Sequence, residues 1–166
     1  MEKHSVELIV HELNRRQVQY LIAGGLAVVA HGYVRFTADV DMLLGMDADN
    51  LARAVSALQG LGYRPRAPVD FELFIDPAYR RQWIEEKGLR VFSLFSPDHP
   101  ATEIDLFVDP PLLFADAYSR AVQMEVSPGI KATFCSFHDL IFLKTKAGRP
   151  IDLEDIAQLR KLRGTI

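Results

Sequence analysis

Apolar residues recur at helical spacing near the start of the chain, with Val6, Ile9, Val10 and Leu13 on one side of residues 5–16 and Asn14-Arg15-Arg16 closing the stretch. That pattern predicts an amphipathic helix. Gln19 to Ala23 reads as a short strand stopping at Gly24-Gly25, and Leu26 to His31 resumes helical character until Gly32, which suits a C-terminal cap. Asp39 to Leu44 is a second strand, ended by Gly45. Asp47 then fits the N-cap of a helix that carries Leu51, Val55 and Leu58 on one face and that Gly60 and Gly62 terminate.

The middle of the chain is more β-like. Asp70–Ile75, Leu89–Phe95 and Glu103–Val108 are strand candidates, with a short helical turn around Tyr79–Glu86 and breaks at Pro97, Pro100, Pro110 and Pro111. Weaker strand signals follow at Ala121–Val126 and Ile130–Phe134. Ser136-Phe137-His138-Asp139 opens a helix in capping-box form, and Arg149-Pro150 separates it from a last helix reaching about Leu162. The pattern predicts one α/β (α+β) domain over residues 1–166: a mixed β-sheet flanked by helices, with a C-terminal helical pair over about 136–166.

Bulk properties narrow the function classes. A length of 166 residues suits one ordinary domain, and 49% hydrophobic with 25% charged residues excludes a disordered or fibrous chain. The net charge of -3 supplies no global attraction to nucleic acid or anionic membrane. Cys135 is the only cysteine, which rules out an internal disulfide and a multi-cysteine zinc site. The N-terminus has no signal-peptide pattern and no apolar run is long enough to span a bilayer, so the expected location is the cytoplasm, with no membrane partner.

The chemistry concentrates in Leu21–Leu44. Side chains alternate along a strand, so Asp39 and Asp41 share one face while Val40 and Met42 take the other. Two carboxylates that close raise each other's pKa unless a cation lies between them. Mg²⁺ resolves such a conflict, since it takes one or two carboxylates and completes its shell with water and substrate phosphates. Gly24-Gly25, lacking Cβ atoms, lets backbone N–H groups approach phosphate oxygens, although a purely structural turn has the same composition. No Walker-type or Gly-x-Gly-x-x-Gly fingerprint is present.

The ordered series Gly24-Gly25, Arg35-Phe36-Thr37, Ala38 and Asp39-Val40-Asp41 resembles the nucleotidyltransferase superfamily related to DNA polymerase β, in particular its branch of AbiEii-type toxins and lincosamide-type nucleotidyltransferases. The resemblance implies the nucleotidyltransferase fold, Mg²⁺ (or Mn²⁺) as cofactor and a nucleoside triphosphate as substrate. It implies a third carboxylate on a later strand, which Asp105 in Thr102–Val108 matches; Glu103 and Asp109 share its strand parity and are rivals. On this reading Asp39, Asp41 and Asp105 are the catalytic and metal-binding residues, and Gly24, Gly25, Arg35, Thr37 and Lys144 are the nucleotide-binding ones. Arg35 either orders its loop or contacts phosphate, and Thr37 holds a carboxylate by hydrogen bonding. Lys144, or Lys146, reaches toward the triphosphate with Arg149 nearby, against the alternative that these cations simply complement a helix end. Asp152 and Asp155 are read as dipole-favoured acids opening the last helix.

The implied activity is metal-dependent transfer of an NMP group from an NTP to a hydroxyl-bearing acceptor: tRNA, a protein or a small molecule. A toxin-type role with an antitoxin partner belongs to the same resemblance. The competing readings are a non-catalytic nucleotide-binding or protein-interaction module of the same fold, and metal-dependent phosphate-ester hydrolysis. Other acid and histidine motifs have plainer explanations: Asp47-Ala48-Asp49 as a helix cap, His138 as a surface residue and His31 as a packed helix-end residue. Arg64, Arg66, Arg80 and Arg81 are candidate acceptor contacts or solvated surface charges.

Overall fold

In the computed structural model, which describes residues 1–164, the first predicted helix runs over Lys3–Arg15 (α1) and buries Val6, Ile9, Val10 and Leu13. Gln17 adopts a left-handed φ of 53° and turns the chain into β1, Tyr20–Ile22. α2 (Gly24–Ala30) and β2 (Asp39–Leu44) follow, then α3 (Ala48–Gly60). The Asp47 carboxylate accepts the Asn50 N–H at 2.8 Å, the cap read from the sequence. Fully buried Asn50 donates to the carbonyls of Gln19 and Gly45 and accepts the Gln19 N–H at 2.7 Å. The start of α3 is thereby tied to the closed end of the β1–β2 pair.

β3 is only Arg64–Pro65. The strand expected at Asp70–Ile75 is instead a 3-10 helix over Phe71–Ile75. Its buried residues, Phe71 and Phe74, lie three apart, so the segment follows a three-residue turn and not the two-residue repeat of a strand. α4 (Pro77–Lys87) is a full helix where a short turn was expected, because Asp76 caps the Ala78 N–H and left-handed Gly88 closes the other end. β4 (Val91–Phe95) and β5 (Glu103–Phe107) alternate between buried and half-buried residues. A short α5 (Phe114–Ser119), absent from the sequence reading, precedes the β6 (Val122–Ser127) and β7 (Ile130–Phe134) hairpin. α6 (Phe137–Ala147), capped by Ser136, and α7 (Pro150–Leu162) complete the expected helical pair. Residues 165 and 166 of the predicted C-terminal part lie outside the described residues.

The strands form a seven-stranded mixed sheet in the order β3-β4-β5-β2-β1-β7-β6. β2 pairs parallel to β5 and β1 parallel to β7, and the remaining neighbours are antiparallel. α1 packs on α3, α2 on α6 and α6 on α7, so helices flank the sheet as expected. No helix among the described residues is long and apolar enough to cross a membrane. For the site, the decisive pairing is β2 with β5: it sets Asp41 opposite Asp105 and Asp39 opposite Glu103.

Candidate active site

Along β2 the alternation places Val40 and Met42 in the core and leaves Asp39 and Asp41 half-buried on the other face. Asp105 joins them from β5, and all three line one cleft of about 260 Å³ with Gly25, Arg35 and Thr37. The glycines earn their positions sterically. Gly24 has a left-handed φ of 58°, and a Cβ there would meet Asp41 Oδ2 at 1.7 Å. At Gly25 a Cβ would stand 2.3 Å from Thr37 Oγ1. The turn is locked to β2 by the Ala23 N–H, which donates to the Asp41 carbonyl at 2.9 Å. The bare backbone of the first turn of α2 therefore lies directly under the acidic cluster.

The cluster is under electrostatic stress. Burial, then the Asp105 carboxylate, then Asp39 push the Asp41 pKa up to about 6, with Lys144 and Arg149 opposing the rise. Asp39 is also pushed up, by burial and then by Asp105 and Glu103. Asp105 is steadied by Ser93 on β4, whose hydroxyl donates to Oδ1 at 2.6 Å. Among the described residues no group of three or more His, Cys, Asp or Glu side chains is gathered tightly enough to hold a metal ion. The donor set nevertheless fits Mg²⁺, which needs one or two carboxylates and draws its other oxygens from water and substrate phosphates. Raised pKa values on paired hard-oxygen donors are what a cation would relieve.

The lead-in residues reach the cleft, Arg35 in the loop-ordering role that was one of its two expected readings and Thr37 with a partner other than the one expected. Arg35 forms a bidentate pair with Asp155 at 2.7 and 2.8 Å and donates to the Phe36 carbonyl, so it orders the loop against α7. Thr37 donates to the backbone carbonyl of Asp39 at 3.4 Å and not to a carboxylate. Lys144 borders the cleft with its side chain only 4% exposed, paired with Asp152 at 2.9 Å and Asp155 at 2.7 Å. Its charge is held by those two aspartates. Asp152 and Asp155 are accordingly buried members of a network with Lys144, Arg35 and Arg149, beyond the dipole role read for them. The missed signal is their spacing: Asp152, Asp155, Ile156 and Leu159 form one inward stripe of α7.

The rival acids have cations of their own, Glu103 with Arg66 although it lies opposite Asp39, and Asp109 beside Arg90 at 3.6 Å beyond the end of β5. Arg80, proposed as an acceptor contact, is buried and donates to the carbonyls of Phe74 and Ile75. Arg64 and Arg66 are stacked over Phe95. His31 bonds the Cys135 carbonyl at 3.0 Å with its pKa lowered by burial, and Cys135 is itself buried with its thiol pushed up to about 12, so both are packing residues.

Comparison with solved structures shows that this mixed sheet with flanking helices is a nucleotidyltransferase fold. No family model and no curated protein matches the chain. Among solved structures, an antigenic nucleotidyltransferase-like protein from Paracoccidioides brasiliensis superposes with a TM-score of 0.60 at 17% identity, covering 96% of this chain and 75% of the other. ANT(2'')-Ia in complex with adenylyl-2''-tobramycin superposes with a TM-score of 0.58 at 16% identity, over 96% and 87% of the two chains. The solution structure of the antibiotic-resistance factor ANT(2'')-Ia gives 0.57 at 13% identity, over 96% and 85%. At these identities the likeness is one of fold.

Proposed function

We propose that this chain is a metal-dependent nucleotidyltransferase that moves an NMP group from an NTP to a hydroxyl-bearing acceptor. The observation that carries the reading is the parallel β2–β5 register, which sets Asp41 against Asp105 while Gly24 leaves room for the Asp41 carboxylate. The nucleotidyltransferase fold of the structural neighbours supports it, and one of them holds an adenylylated product, adenylyl-2''-tobramycin.

Asp39 and Asp41 would hold Mg²⁺, which supplies charge neutralisation on the phosphates and a fixed geometry for in-line displacement. Asp105, oriented by Ser93, accepts the proton of the acceptor hydroxyl. The hydroxyl oxygen then forms its bond to the α-phosphorus. The bond from that phosphorus to the α,β-bridging oxygen breaks, and pyrophosphate departs with the electron pair. Gly24, half-exposed beside the cluster, and buried Gly25 leave the space that Asp41 and Thr37 fill, so the two glycines shape the floor of the site. The Gly-Gly, Arg-x-Thr and Asp-x-Asp series supports the AbiEii-type branch of the fold, in which an antitoxin protein would be the partner.

The test is to incubate purified protein with α-labelled NTPs, Mg²⁺ and cell lysate, then to follow label transfer and pyrophosphate release. Transfer that is lost in Asp39→Asn and Asp41→Asn and in EDTA is the expected result. Mg²⁺-dependent NTP binding with no transfer to any acceptor supports the non-catalytic module instead. Full activity in either Asn variant refutes the site.

A further inference from the structure

The segment that leads into β2 has the side-chain pattern of a strand but belongs to none. From Tyr33 to Asp39 its residues alternate between half-buried and exposed, the two-residue period of an extended chain. Each inward side chain is anchored: Tyr33 packs on the core, Arg35 binds Asp155, Thr37 fills the space beside Gly25 and Asp39 stands in the acidic cleft. The outward row is Val34, Phe36 and Ala38. Val34 and Phe36 are each 82% exposed, more than any other large hydrophobic side chain among the described residues. Polar residues would serve the fold equally well in that row, yet all three are apolar.

Helix α7 continues the apolar surface. A Cβ at Gly32 would meet Leu162 Cδ1 at 3.8 Å, Arg35 holds Asp155, and Phe36 and Ile151 share the lip of the acidic cleft, so the segment runs antiparallel along the helix. Ile151, Asp155 and Leu162 lie on one stripe of α7, which sets exposed Ile151 and Leu162 beside the outward row. The two are about 16 Å apart along the axis at 1.5 Å per residue. That is the span of roughly five residues of strand. One end of the ridge is the cleft itself.

The backbone and the charges indicate what covers it. Among the described residues, the backbone N–H groups of Val34, Arg35, Phe36 and Thr37 donate to no protein acceptor. Unused main-chain donors, with apolar side chains at every second position, are what an extended polypeptide adds to as a strand. Nucleic acid is the poorer match. The cations that line the cleft, Arg35, Lys144 and Arg149, are held by Asp155 and Asp152, so a phosphodiester backbone would meet Asp39 and Asp105 without free counter-charges there. A small hydroxyl compound would use the cleft and leave the ridge bare.

Building on the transferase reading, we propose that the acceptor is a partner protein, docked as an extended segment along residues 34–37. Its apolar side chains cover Val34 and Phe36, and a Ser, Thr or Tyr hydroxyl a few residues further on reaches Asp105. The hydroxyl proton passes to Asp105 and its oxygen bonds to the α-phosphorus. The bond to the α,β-bridging oxygen breaks, and pyrophosphate leaves with the electron pair.

The test is to incubate the full chain with Mg²⁺, α-labelled NTPs and cell lysate, and to divide the labelled product by ultrafiltration, protease and RNase. Retained label that protease releases and RNase does not is expected. Val34→Ser and Phe36→Ser should each lower that labelling about tenfold, the scale of one buried apolar side chain. Val34→Pro removes an N–H that the fold leaves unused and should lower it comparably, an effect that greasiness alone would not produce. Val34→Ser should keep its affinity for a non-hydrolysable Mg²⁺–NTP analogue within about twofold by calorimetry. Thermal melts confirm folding, and the two Ser variants, altered at solvent-exposed side chains, carry the test if Pro disturbs the loop. RNase-sensitive label, label in the filtrate, label on this chain alone, or protein labelling undiminished in the folded Ser variants overturns the proposal and leaves the transferase reading standing. No label in any fraction and no pyrophosphate release by the wild-type chain refutes both.

Discussion

Replacing Asp41 with Asn should stabilise the protein at neutral pH at the same time as it ends nucleotidyl transfer. The carboxyl is pushed from its ordinary 3.8 to about 6, chiefly by burial and then by Asp105 and Asp39. A shift of about two units corresponds to roughly 3 kcal/mol. The sign follows from proton binding: the folded state holds this proton more tightly than the unfolded one, so the carboxyl does not burden folding below about pH 4. Its cost grows between about pH 4 and 6 and is fully present above 6. Asn keeps the shape and carries no charge. The opposing pull of Lys144 and Arg149 is already contained in that net shift, and discounting it for solvent screening at this half-buried position brings the expected gain to about 1–2 kcal/mol.

Urea denaturation in EDTA, without nucleotide, reads this directly. With a slope of roughly 1–3 kcal/mol per molar, the midpoint of Asp41→Asn should rise by about 0.5–1 M at pH 7.5. At pH 4 the wild-type carboxyl is largely protonated in the fold, and the difference should shrink to about 0.5 kcal/mol or less. Adding Mg²⁺ should raise the wild-type midpoint and leave the variant unchanged, because the ion relieves the same repulsion. A variant less stable than wild type at pH 7.5, or one with an equal gain at both pH values, would refute the reasoning.

Three further outcomes are expected. Gly24→Ala combines a left-handed backbone with a Cβ placed 1.7 Å from Asp41 Oδ2, so pyrophosphate release should fall at least about 100-fold, with a lowered melting temperature. Ser93→Ala removes the 2.6 Å hydrogen bond to Asp105; turnover should drop about tenfold while the melting temperature moves by no more than about 3 °C. Asp155→Ala strands Arg35 as an unpaired charge and leaves Lys144 with Asp152 alone, and should cost about 3–5 kcal/mol, seen as a melting temperature lower by about 10 °C.

Local periodicity made most of the fold legible. The α1 stripe, β2, the Asp47 and Ser136 caps and, more weakly, the β6 and β7 strands are each specified by residues within one element and its ends. Phe71–Ile75 was misread because five residues hold too few repeats to separate a period of three from a period of two. The choice among Glu103, Asp105 and Asp109 was a different kind of problem. Strand parity admits all three, and only the register of β5 on β2, a tertiary fact, sets Asp105 opposite Asp41. Ser93 was invisible for the same reason, since nothing in Val91–Phe95 announces which residue of β5 lies beside it.

The misreading of Asp152 and Asp155 says most about how the site is built. Acids near the start of a helix favour its dipole wherever they point, so residue type and position alone suggested no more than a dipole role. Their place on the same stripe as Ile156 and Leu159 indicates burial, and a buried carboxylate requires a partner. The candidates at hand were the cations already assigned to phosphate: Lys144 on α6 and Arg35 before β2. Once Asp155 takes both, α7 holds the loop that delivers Asp39 and Asp41. The C-terminal helices thus form part of the cleft's architecture.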